Sequence, residues 1–390
     1  MEKLREISFF EKLLEKPQNE LVEKAIAEGR TAIGYNCYVA PEAFFFAGNV
    51  FPVWMRGPGV TDLTQADYCL SSVVCSYSKA ILQAGLDGDY DFLGALVFAP
   101  SCDHVRRSGQ HFKIQNVNAS NEKFFVHILD TSHKVNDAGI NWMIKDMKKV
   151  AEKLNESYNA NINEDTLRES IKNINEFNEL LQSIADMRKE EFPKITGSEF
   201  HIIYGATKVA PKDMLIEPLK RIKAEIEARE VEKNDNLRIM VIGSTFDNTE
   251  YIKLIEDQGA IVVADRYCFG SLPGMVEKIK EDGDPYENIV RYYMDTCQCP
   301  RMMEKAKDRV KYCADIAKEY SVDGMIFQVM QFCDLWGYEA ITFLDAMKQK
   351  DIPIVKIMRE YTLTGEGQIR TRIQAFLESI KTKKDKEELR

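Results

Sequence analysis

The sequence alternates short apolar runs with helical patterns, and this alternation occurs in two separate blocks. In the first block, apolar strands are predicted at residues 31–35, 51–55, 93–99 and 123–129. In the second block, they are predicted at residues 237–243, 260–265, 323–330 and 352–357. Short apolar strands separated by helices are typical of parallel βαβ units. The sequence therefore predicts an α/β protein with two parallel-sheet domains.

The segment between the two blocks has a different periodicity. From about residue 140 to residue 189, apolar residues recur at spacings of three and four, which indicates amphipathic helices. A strongly charged helical run follows at residues 208–232, and its charges are interpreted as a solvated face. The predicted organisation is an N-terminal α/β domain (1–139), a helical insertion and linker (140–232) and a C-terminal α/β domain (233–390). A length of 390 residues suits two or three domains.

Composition excludes several classes of protein. No apolar run reaches the roughly 18 residues of a spanning helix, so no membrane protein is expected. The N-terminal twenty residues have neither an apolar core nor a small-residue cleavage site, which predicts a cytoplasmic location. The formal charge of −10 argues against nucleic-acid binding, because duplex recognition needs a basic surface. A small anionic ligand held by a few basic side chains remains compatible with this charge.

Nine cysteines are the most unusual feature of the composition. In a reducing compartment, cysteines act as core residues, metal ligands or catalytic thiols rather than as disulfides. A single cysteine is more often a small buried hydrophobe than a ligand. Cys69 and Cys313 adjoin or occupy helical stretches and are therefore interpreted as core or surface residues. Cys297 and Cys299 are interpreted as spare thiols in a loop.

Four other cysteines occur where open α/β sheets bind ligands. Cys37 and Cys102 follow strands of the first block, Cys333 follows a strand of the second, and Cys75 opens a helix. Ligands bind beyond the carboxyl ends of parallel strands, and helix N-termini stabilise thiolates. Because Cys102 and Cys333 come from opposite halves, a metal centre is predicted in the cleft between them. Core packing of these cysteines is the open alternative.

The cysteine spacing bears on which metal such a centre would bind. There is no paired CxxC motif of a zinc ribbon and no ferredoxin-type cysteine run. Dispersed thiolates, one from each loop, suit an iron–sulfur cluster with one coordination position left open. The pattern therefore favours a cluster over a structural zinc ion.

Four stretches of the sequence carry a resemblance to a known family. They are GYNCYVAPEAFFFAGNVFPV, CSYSKAILQAGLDGDYDFLGALVFAPSCDHVRR, DGMIFQVMQFCD and REYTLTGEGQIRTRIQAFLESI. In order and content they resemble subunits of 2-hydroxyacyl-CoA dehydratases and benzoyl-CoA reductases. The resemblance implies two Rossmann-like or flavodoxin-like domains and a [4Fe–4S] cluster held by Cys75, Cys102 and Cys333. It places Cys37 beside the cluster without a bond to iron.

The resemblance also implies a function and partners. The implied reaction is elimination of water (syn or anti) from a 2-hydroxyacyl-CoA thioester, in which one electron forms a ketyl radical and is then recycled. The alternatives are a low-potential reductase subunit of the benzoyl-CoA reductase type and a non-catalytic electron-relay subunit. The implied partners are a related subunit, in a homo- or heterodimer, and a separate ATP-hydrolysing iron–sulfur activator. This chain has no GxxxxGK(S/T) motif and is therefore not itself a P-loop ATPase.

Side chains near the predicted ligands suggest how protons are handled. Asp103 and His104 follow Cys102 directly, and histidine titrates near neutral pH. The alternative is that Asp103 caps a helix and His104 lies on the surface. Glu42 is interpreted as an N-terminal helix charge. The acyl group, the choice between dehydration and reduction, the general base, and a larger cluster that includes Cys37, Cys297 or Cys299 are left open.

Overall fold

The computed structural model describes residues 3–268 and 277–388 and contains two four-stranded sheets in which every strand pair is parallel. The strands are β1 (Thr31–Tyr35), β2 (Val50–Trp54), β3 (Ala95–Phe98), β4 (Phe125–Ile128), β5 (Leu237–Gly243), β6 (Ala260–Tyr267), β7 (Gly324–Met330) and β8 (Ile354–Arg359). Most of their residues are buried, as is usual for parallel strands covered by helices on both faces. The predicted α/β class with two parallel sheets is confirmed.

The two sheets have the same strand order. The order is β2-β1-β3-β4 in the first sheet and β6-β5-β7-β8 in the second. In the first sheet the chain passes from the inner strand β1 to the edge strand β2 and then crosses to β3, on the other side of β1. In the second sheet β5, β6 and β7 follow the same path. The order therefore reverses between β1 and β3, and again between β5 and β7. Crevices for ligands form at such reversals, outside the carboxyl ends of the strands.

The helices surround the sheets and fill the space between them. They are α1 (Ile7–Glu15), α2 (Glu20–Ala27), α3 (Thr64–Cys69), α4 (Ser76–Leu86), α5 (Asp103–Ile114), α6 (Asp137–Tyr158), α7 (Glu164–Asp186), α8 (Gly197–Val209), α9 (Ile216–Ala228), α10 (Thr249–Glu256), α11 (Pro285–Asp295), α12 (Ala306–Glu319), α13 (Asp334–Lys348) and α14 (Glu366–Glu388). Capping boxes begin α7, at Asn163, and α8, at Thr196. Across the described part of the chain, no helix has the length and apolar character that a bilayer crossing requires.

Two segments pack away from their neighbours in sequence. Helix α1 joins an apolar cluster formed mainly by α7, α8 and α9. Residues 279–302, which follow the second-sheet strand β6, contribute Ile289, Met294 and Cys297 to the core around Ile33 and Val97 of the first sheet. The chain therefore returns to the first sheet between β6 and β7. The domain limits at 139/140 and 232/233 stay a prediction.

A buried polar contact joins the two halves where their strands end. The guanidinium Nε of Arg56, just after β2, lies 2.8 Å from Oδ2 of Asp247, in the loop after β5. The hydroxyl of Tyr361, after β8, donates to the same carboxylate oxygen at 2.7 Å and accepts from the backbone N–H of Gly57 at 2.9 Å. These contacts bring the carboxyl ends of the two sheets together along one seam.

Glu42 does not act as a simple helix charge. It begins the short 3₁₀ helix Glu42–Phe46, and its buried carboxylate accepts hydrogen bonds from Lys208 at 2.7 Å, from Lys212 at 2.8 Å and from the hydroxyl of Tyr35 at 2.9 Å. Lys212 is also buried, so the interpretation of residues 208–232 as a purely solvated charged face is wrong for this part. The ion cluster ties the first sheet to the helical segment.

The ion cluster makes stability depend on pH. Burial raises the pKa of Glu42, but the ammonium groups of Lys208 and Lys212 outweigh burial and lower it to about 2. Burial lowers the pKa of Lys212 to about 8 despite attraction by Glu42. Because the folded-state pKa of Glu42 lies below its unfolded value, its stabilisation is present above about pH 4.5 and is lost as pH falls toward 2.

Substitution Glu42→Gln should lower the free energy of unfolding by about 3–5 kcal/mol, because it leaves the buried ammonium group of Lys212 and the largely buried one of Lys208 without their carboxylate. Urea unfolding of anaerobically purified protein at neutral pH measures this change. The decline in stability between pH 4.5 and 2 should be shallower in the variant. The exposed Glu217→Gln, which removes an ion pair with Lys220, is the matched control and should leave stability unchanged. Equal effects of the two substitutions would contradict the role of the buried cluster.

Candidate metal centre

The seam between the two sheets contains a cavity with a volume of about 70 Å³. Six cysteines line it: Cys37, Cys75, Cys102, Cys268, Cys299 and Cys333. The three predicted ligands, Cys75, Cys102 and Cys333, are thus brought together from both halves of the chain. Among the described residues, the lining contains no Asp, Glu, Lys or Arg side chain. The cavity therefore offers sulfur in an uncharged environment, and the role of the three cysteines as ligands stays a prediction.

Each of the three predicted ligands is the N-cap residue of a helix. Cys75 precedes α4, Cys102 precedes α5 and Cys333 precedes α13, and none of the three side chains caps its own helix by a hydrogen bond. Backbone N–H groups of the first turn of each helix nevertheless lie near the sulfur atoms and lower their pKa values. A helix N-terminus carries a partial positive charge and unpaired N–H groups. Three such ends around one cavity favour negatively charged sulfur within it.

Burial of the three thiols opposes their ionisation and raises their pKa values. Burial raises the pKa of Cys75 to about 11, and repulsion from Cys333 adds to the shift. Burial also raises the pKa of Cys102 well above its usual range, with a further contribution from Cys75, and it raises the pKa of Cys333. Metal ligands must be thiolates, so metal binding here would displace protons.

In the first half, Asn36 fixes the strand ends at the order reversal. Its side-chain amide donates to the carbonyl of Ala99 at 3.1 Å, and its amide oxygen accepts from the N–H of Ala99 at 2.8 Å. This pair of bonds links the end of β1 to the end of β3. The next residue, Cys37, has a φ of 73°, which costs a residue other than glycine about 1–2 kcal/mol. The Asn36 clamp helps to hold Cys37 in this conformation toward the cavity.

In the second half, Ser244 occupies the corresponding position between β5 and β7. Its hydroxyl accepts from the N–H of Met330 at 3.0 Å, and its carbonyl accepts from the side chain of Gln328 at 2.5 Å. Burial raises the pKa of Cys333, whereas a hydrogen bond from Ser244 lowers it. A Cβ at Gly243, whose φ is 133°, would lie 1.8 Å from the carbonyl oxygen of Gln328. Glycine is therefore required for this close strand contact beside Cys333.

His104 and Asp103 occupy different environments. Nδ1 of His104 accepts from the backbone N–H of Cys75 at 3.3 Å, and Nε2 lies 3.6 Å from Oδ2 of Asp334. His104 therefore connects the loop that carries Cys75 with the start of α13, directly after Cys333. The Asp103 side chain is 75% exposed and pairs with Arg106 at 2.7 Å. Neither residue lines the cavity, and their part in proton handling stays a prediction.

The arrangement fits a cluster of several metal ions better than a single ion. Within residues 3–268 and 277–388, no three His, Cys, Asp or Glu side chains are grouped so that they could hold one metal ion. A tetrahedral ion with metal–sulfur bonds of about 2.3 Å needs sulfur atoms about 3.8 Å apart. An iron–sulfur cluster places its protein ligands on different iron atoms and therefore needs wider spacing. Dispersed thiols, helix N-termini and an uncharged lining suit such a cluster.

Sequence reasoning missed or misplaced several residues of the site. Cys268 directly follows β6. Because the strand was predicted to end at residue 265, Cys268 was not recognised as a cysteine at the carboxyl end of a strand, the position that Cys37 occupies after β1. Cys297 is fully buried and Cys299 lines the cavity, so neither is a spare loop thiol. Cys69 packs against the first-half core, as expected. Cys313 is buried in α12, also as expected.

Comparison with known proteins gives the family. The family model described as 2-hydroxyglutaryl-CoA dehydratase, D-component, matches residues 37–380. The chain is 24% identical over 371 residues to the (R)-phenyllactyl-CoA dehydratase beta subunit of Clostridium sporogenes, which covers 95% of this chain and 97% of that protein. It is 25% identical over 378 residues to subunit beta of (R)-2-hydroxyglutaryl-CoA dehydratase of Acidaminococcus fermentans, which covers 96% and 98%, respectively.

A reductase polypeptide is similar to a comparable degree. One of the subunits of benzoyl-CoA reductase of Thauera aromatica is 24% identical over 358 residues, which covers 90% of this chain and 91% of that protein. These relatives confirm the resemblance seen in the four sequence stretches. Because the family match spans most of its length, the chain belongs to the 2-hydroxyglutaryl-CoA dehydratase D-component family.

Proposed function

We propose that this chain is the iron–sulfur subunit of a 2-hydroxyacyl-CoA dehydratase and that Cys75, Cys102 and Cys333 bind a [4Fe–4S] cluster. The observation that carries the proposal is the convergence on one cavity of these three cysteines, each at a helix N-cap position and drawn from both halves of the chain. Relatives named as phenyllactyl-CoA and 2-hydroxyglutaryl-CoA dehydratase subunits support a CoA thioester as the substrate.

The residues of the chain would prepare the cavity for this cofactor. When bound, the cluster supplies low-potential electrons and, with three protein ligands on four irons, an iron atom open to an oxygen of the substrate. The thiolates of Cys75, Cys102 and Cys333 would hold it, and the helix N-termini would balance its negative charge. Asn36 and Ser244 fix the strand ends from which the loops of Cys102 and Cys333 extend.

Of the two residues predicted to handle protons, His104 is the better placed, because its ring contacts the backbone of Cys75. Its Nδ1 is occupied by the backbone N–H of Cys75, so in the neutral ring the exchangeable proton resides on Nε2. Asp334 lies beside this nitrogen and orients the ring. Asp103 is directed to solvent and paired with Arg106, so its contribution is secondary to that of His104.

The protein acts with partners in a reducing compartment, the cytoplasm. The enzyme is completed by a related subunit, in a homo- or heterodimer, and a separate ATP-hydrolysing iron–sulfur protein supplies the electron. Large apolar side chains are exposed close to Cys333, which supports a protein partner on this face. They are Phe332, at 43% exposure, Tyr338, at 76%, and Ile341, at 71%.

A role in a low-potential reductase is the second candidate function. Two observations favour it: the similarity to a benzoyl-CoA reductase polypeptide, and the presence of cysteines in the cavity beyond the three that a single cluster with an open iron needs. Dehydration and reduction differ in their electron balance. A dehydration recycles its electron, whereas a reduction consumes electrons in proportion to product.

Replacing any one of Cys75, Cys102 and Cys333 by serine should remove most of the iron and the visible absorbance, because a cluster with three protein ligands loses a third of them. Iron and acid-labile sulfide are measured in protein purified without oxygen. Cys69→Ser, which lies outside the cavity, is the control and should keep both. Full iron and colour in one variant would remove that residue from the ligand set, and wild-type protein without iron and sulfide would refute the proposal.

Assays of the chain, co-purified with its partner subunit and supplied with ATP and a low-potential donor, should show elimination of water from 2-hydroxyacyl-CoA thioesters. The electrons consumed should be far fewer than the molecules of product. An aryl-CoA panel is measured in parallel. Electron consumption that matches product, on aryl-CoA or another acceptor, would favour the reductase instead.

A further inference from the structure

A buried positive charge lies in the second half of the chain, one strand away from Cys333. Arg359 is the last residue of β8 and is only 6% exposed. Its backbone lies opposite Met330 of β7, a residue that lines the cavity. The N–H of Cys333 donates to the carbonyl of Met330 at 2.9 Å. Arg359 is therefore beside the turn that carries a predicted ligand.

The guanidinium of Arg359 donates its hydrogen bonds to neutral oxygen atoms. Nε donates to the side-chain oxygen of Gln328 at 2.7 Å. The two terminal nitrogens donate to the carbonyl of Glu360 at 2.8 Å and to that of Thr245 at 2.6 Å. Among the described residues, no ion pair includes Arg359. Its hydrogen bonds are satisfied, but its charge is not neutralised by a direct contact.

Two carboxylates near Arg359 are engaged with other partners. Oδ2 of Asp247 lies 2.8 Å from Nε of Arg56. Oε2 of Glu360 accepts from the hydroxyl of Ser76 at 2.6 Å. A buried cation without a directly paired anion is costly. A negatively charged cofactor in the neighbouring cavity would offset this cost.

Two aromatic rings keep the guanidinium away from water and fix its position. Its central carbon lies 4.7 Å from the ring centroid of Phe246 and 5.6 Å from that of Tyr251. Burial lowers the pKa of Arg359, but a guanidinium keeps its proton in proteins. Arg359 is therefore a permanent charge in a region of low polarity, where charges act on one another more strongly than in water.

A chain of hydrogen bonds connects Arg359 to the predicted ligand. Gln328 accepts from Arg359 and donates through its amide nitrogen to the carbonyl of Ser244 at 2.5 Å. The hydroxyl of Ser244 in turn interacts with the sulfur of Cys333. Burial raises the pKa of Cys333, and the positive charge of Arg359 opposes this rise. Arg359 thus acts on the ligand both through its charge and through the residues between them.

We propose that Arg359 raises the reduction potential of the iron–sulfur unit at Cys75, Cys102 and Cys333. The inference rests on the proposed function, since it concerns the cofactor assigned there. Reduction by one electron adds one negative charge to such a unit, and a fixed positive charge nearby stabilises the reduced form more than the oxidised form. Because Arg359 does not line the cavity, its role is electrostatic rather than catalytic.

The test is an anaerobic redox titration of the full chain, reconstituted with iron and sulfide and followed by electron paramagnetic resonance. Arg359→Met keeps an unbranched side chain between the two rings but removes the charge, so the midpoint potential should become more negative. The expected change is about tenfold in the ratio of reduced to oxidised unit at a given potential, or about 59 mV for one electron. Arg359→Lys keeps the charge and should stay close to wild type.

Arg370→Met is the matched control. It removes the same charge from an exposed side chain on α14 that pairs with Glu366 at 2.9 Å. Water and salt screen a charge at this position, so the midpoint potential should equal that of wild type. Iron and acid-labile sulfide should also equal wild type in all three variants, and far-ultraviolet circular dichroism checks that each is folded.

Four results would overturn the inference. A wild-type potential in Arg359→Met that has retained its iron would refute the role of Arg359 and leave the proposed function intact. Equal shifts in Arg359→Met and Arg359→Lys would show that shape matters rather than charge. Failure of Arg359→Met to fold where Arg359→Lys folds would assign the charge to stability instead. Absence of iron from wild type would refute the proposed function and, with it, this inference.

Discussion

The contact between the carboxyl ends of the two sheets is the constraint on which the site depends. Arg56, Asp247 and Tyr361 form its buried polar part, and each lies just beyond a strand. Both sheets have the same strand order. The contact between their carboxyl ends therefore places the crevice between β1 and β3 opposite the crevice between β5 and β7. Cysteines that are far apart in the chain can meet only there. Without the seam, the loops that carry these cysteines would lie apart.

Local rules were sufficient to predict the fold and part of the site. The eight strands were predicted from short apolar runs, because parallel strands are buried on both faces and leave a clear pattern. Cys75, Cys102 and Cys333 could be singled out because strand ends and helix starts are readable from neighbouring residues. Their common cavity follows from the way α/β sheets bind ligands. Their assignment as ligands came from the family resemblance.

Interactions over long sequence distances could not be predicted in this way. Glu42 meets Lys208 and Lys212 through the tertiary fold, and nothing near Glu42 in the sequence signals that pairing. The return of residues 279–302 to the first sheet likewise brings Cys297 and Cys299 to the seam. Such a crossing leaves no periodic pattern. Cys268 was the exception, since the position of β6 alone would have identified it.

The wide separation of the cysteines along the chain has a mechanical consequence. A cofactor bonded to Cys75, Cys102 and Cys333 would act as a covalent staple between two halves that otherwise meet through noncovalent contacts. Cross-links that close long loops remove much conformational freedom from the unfolded chain. Loading with metal would therefore couple the unfolding of the two halves more tightly than their noncovalent contacts do.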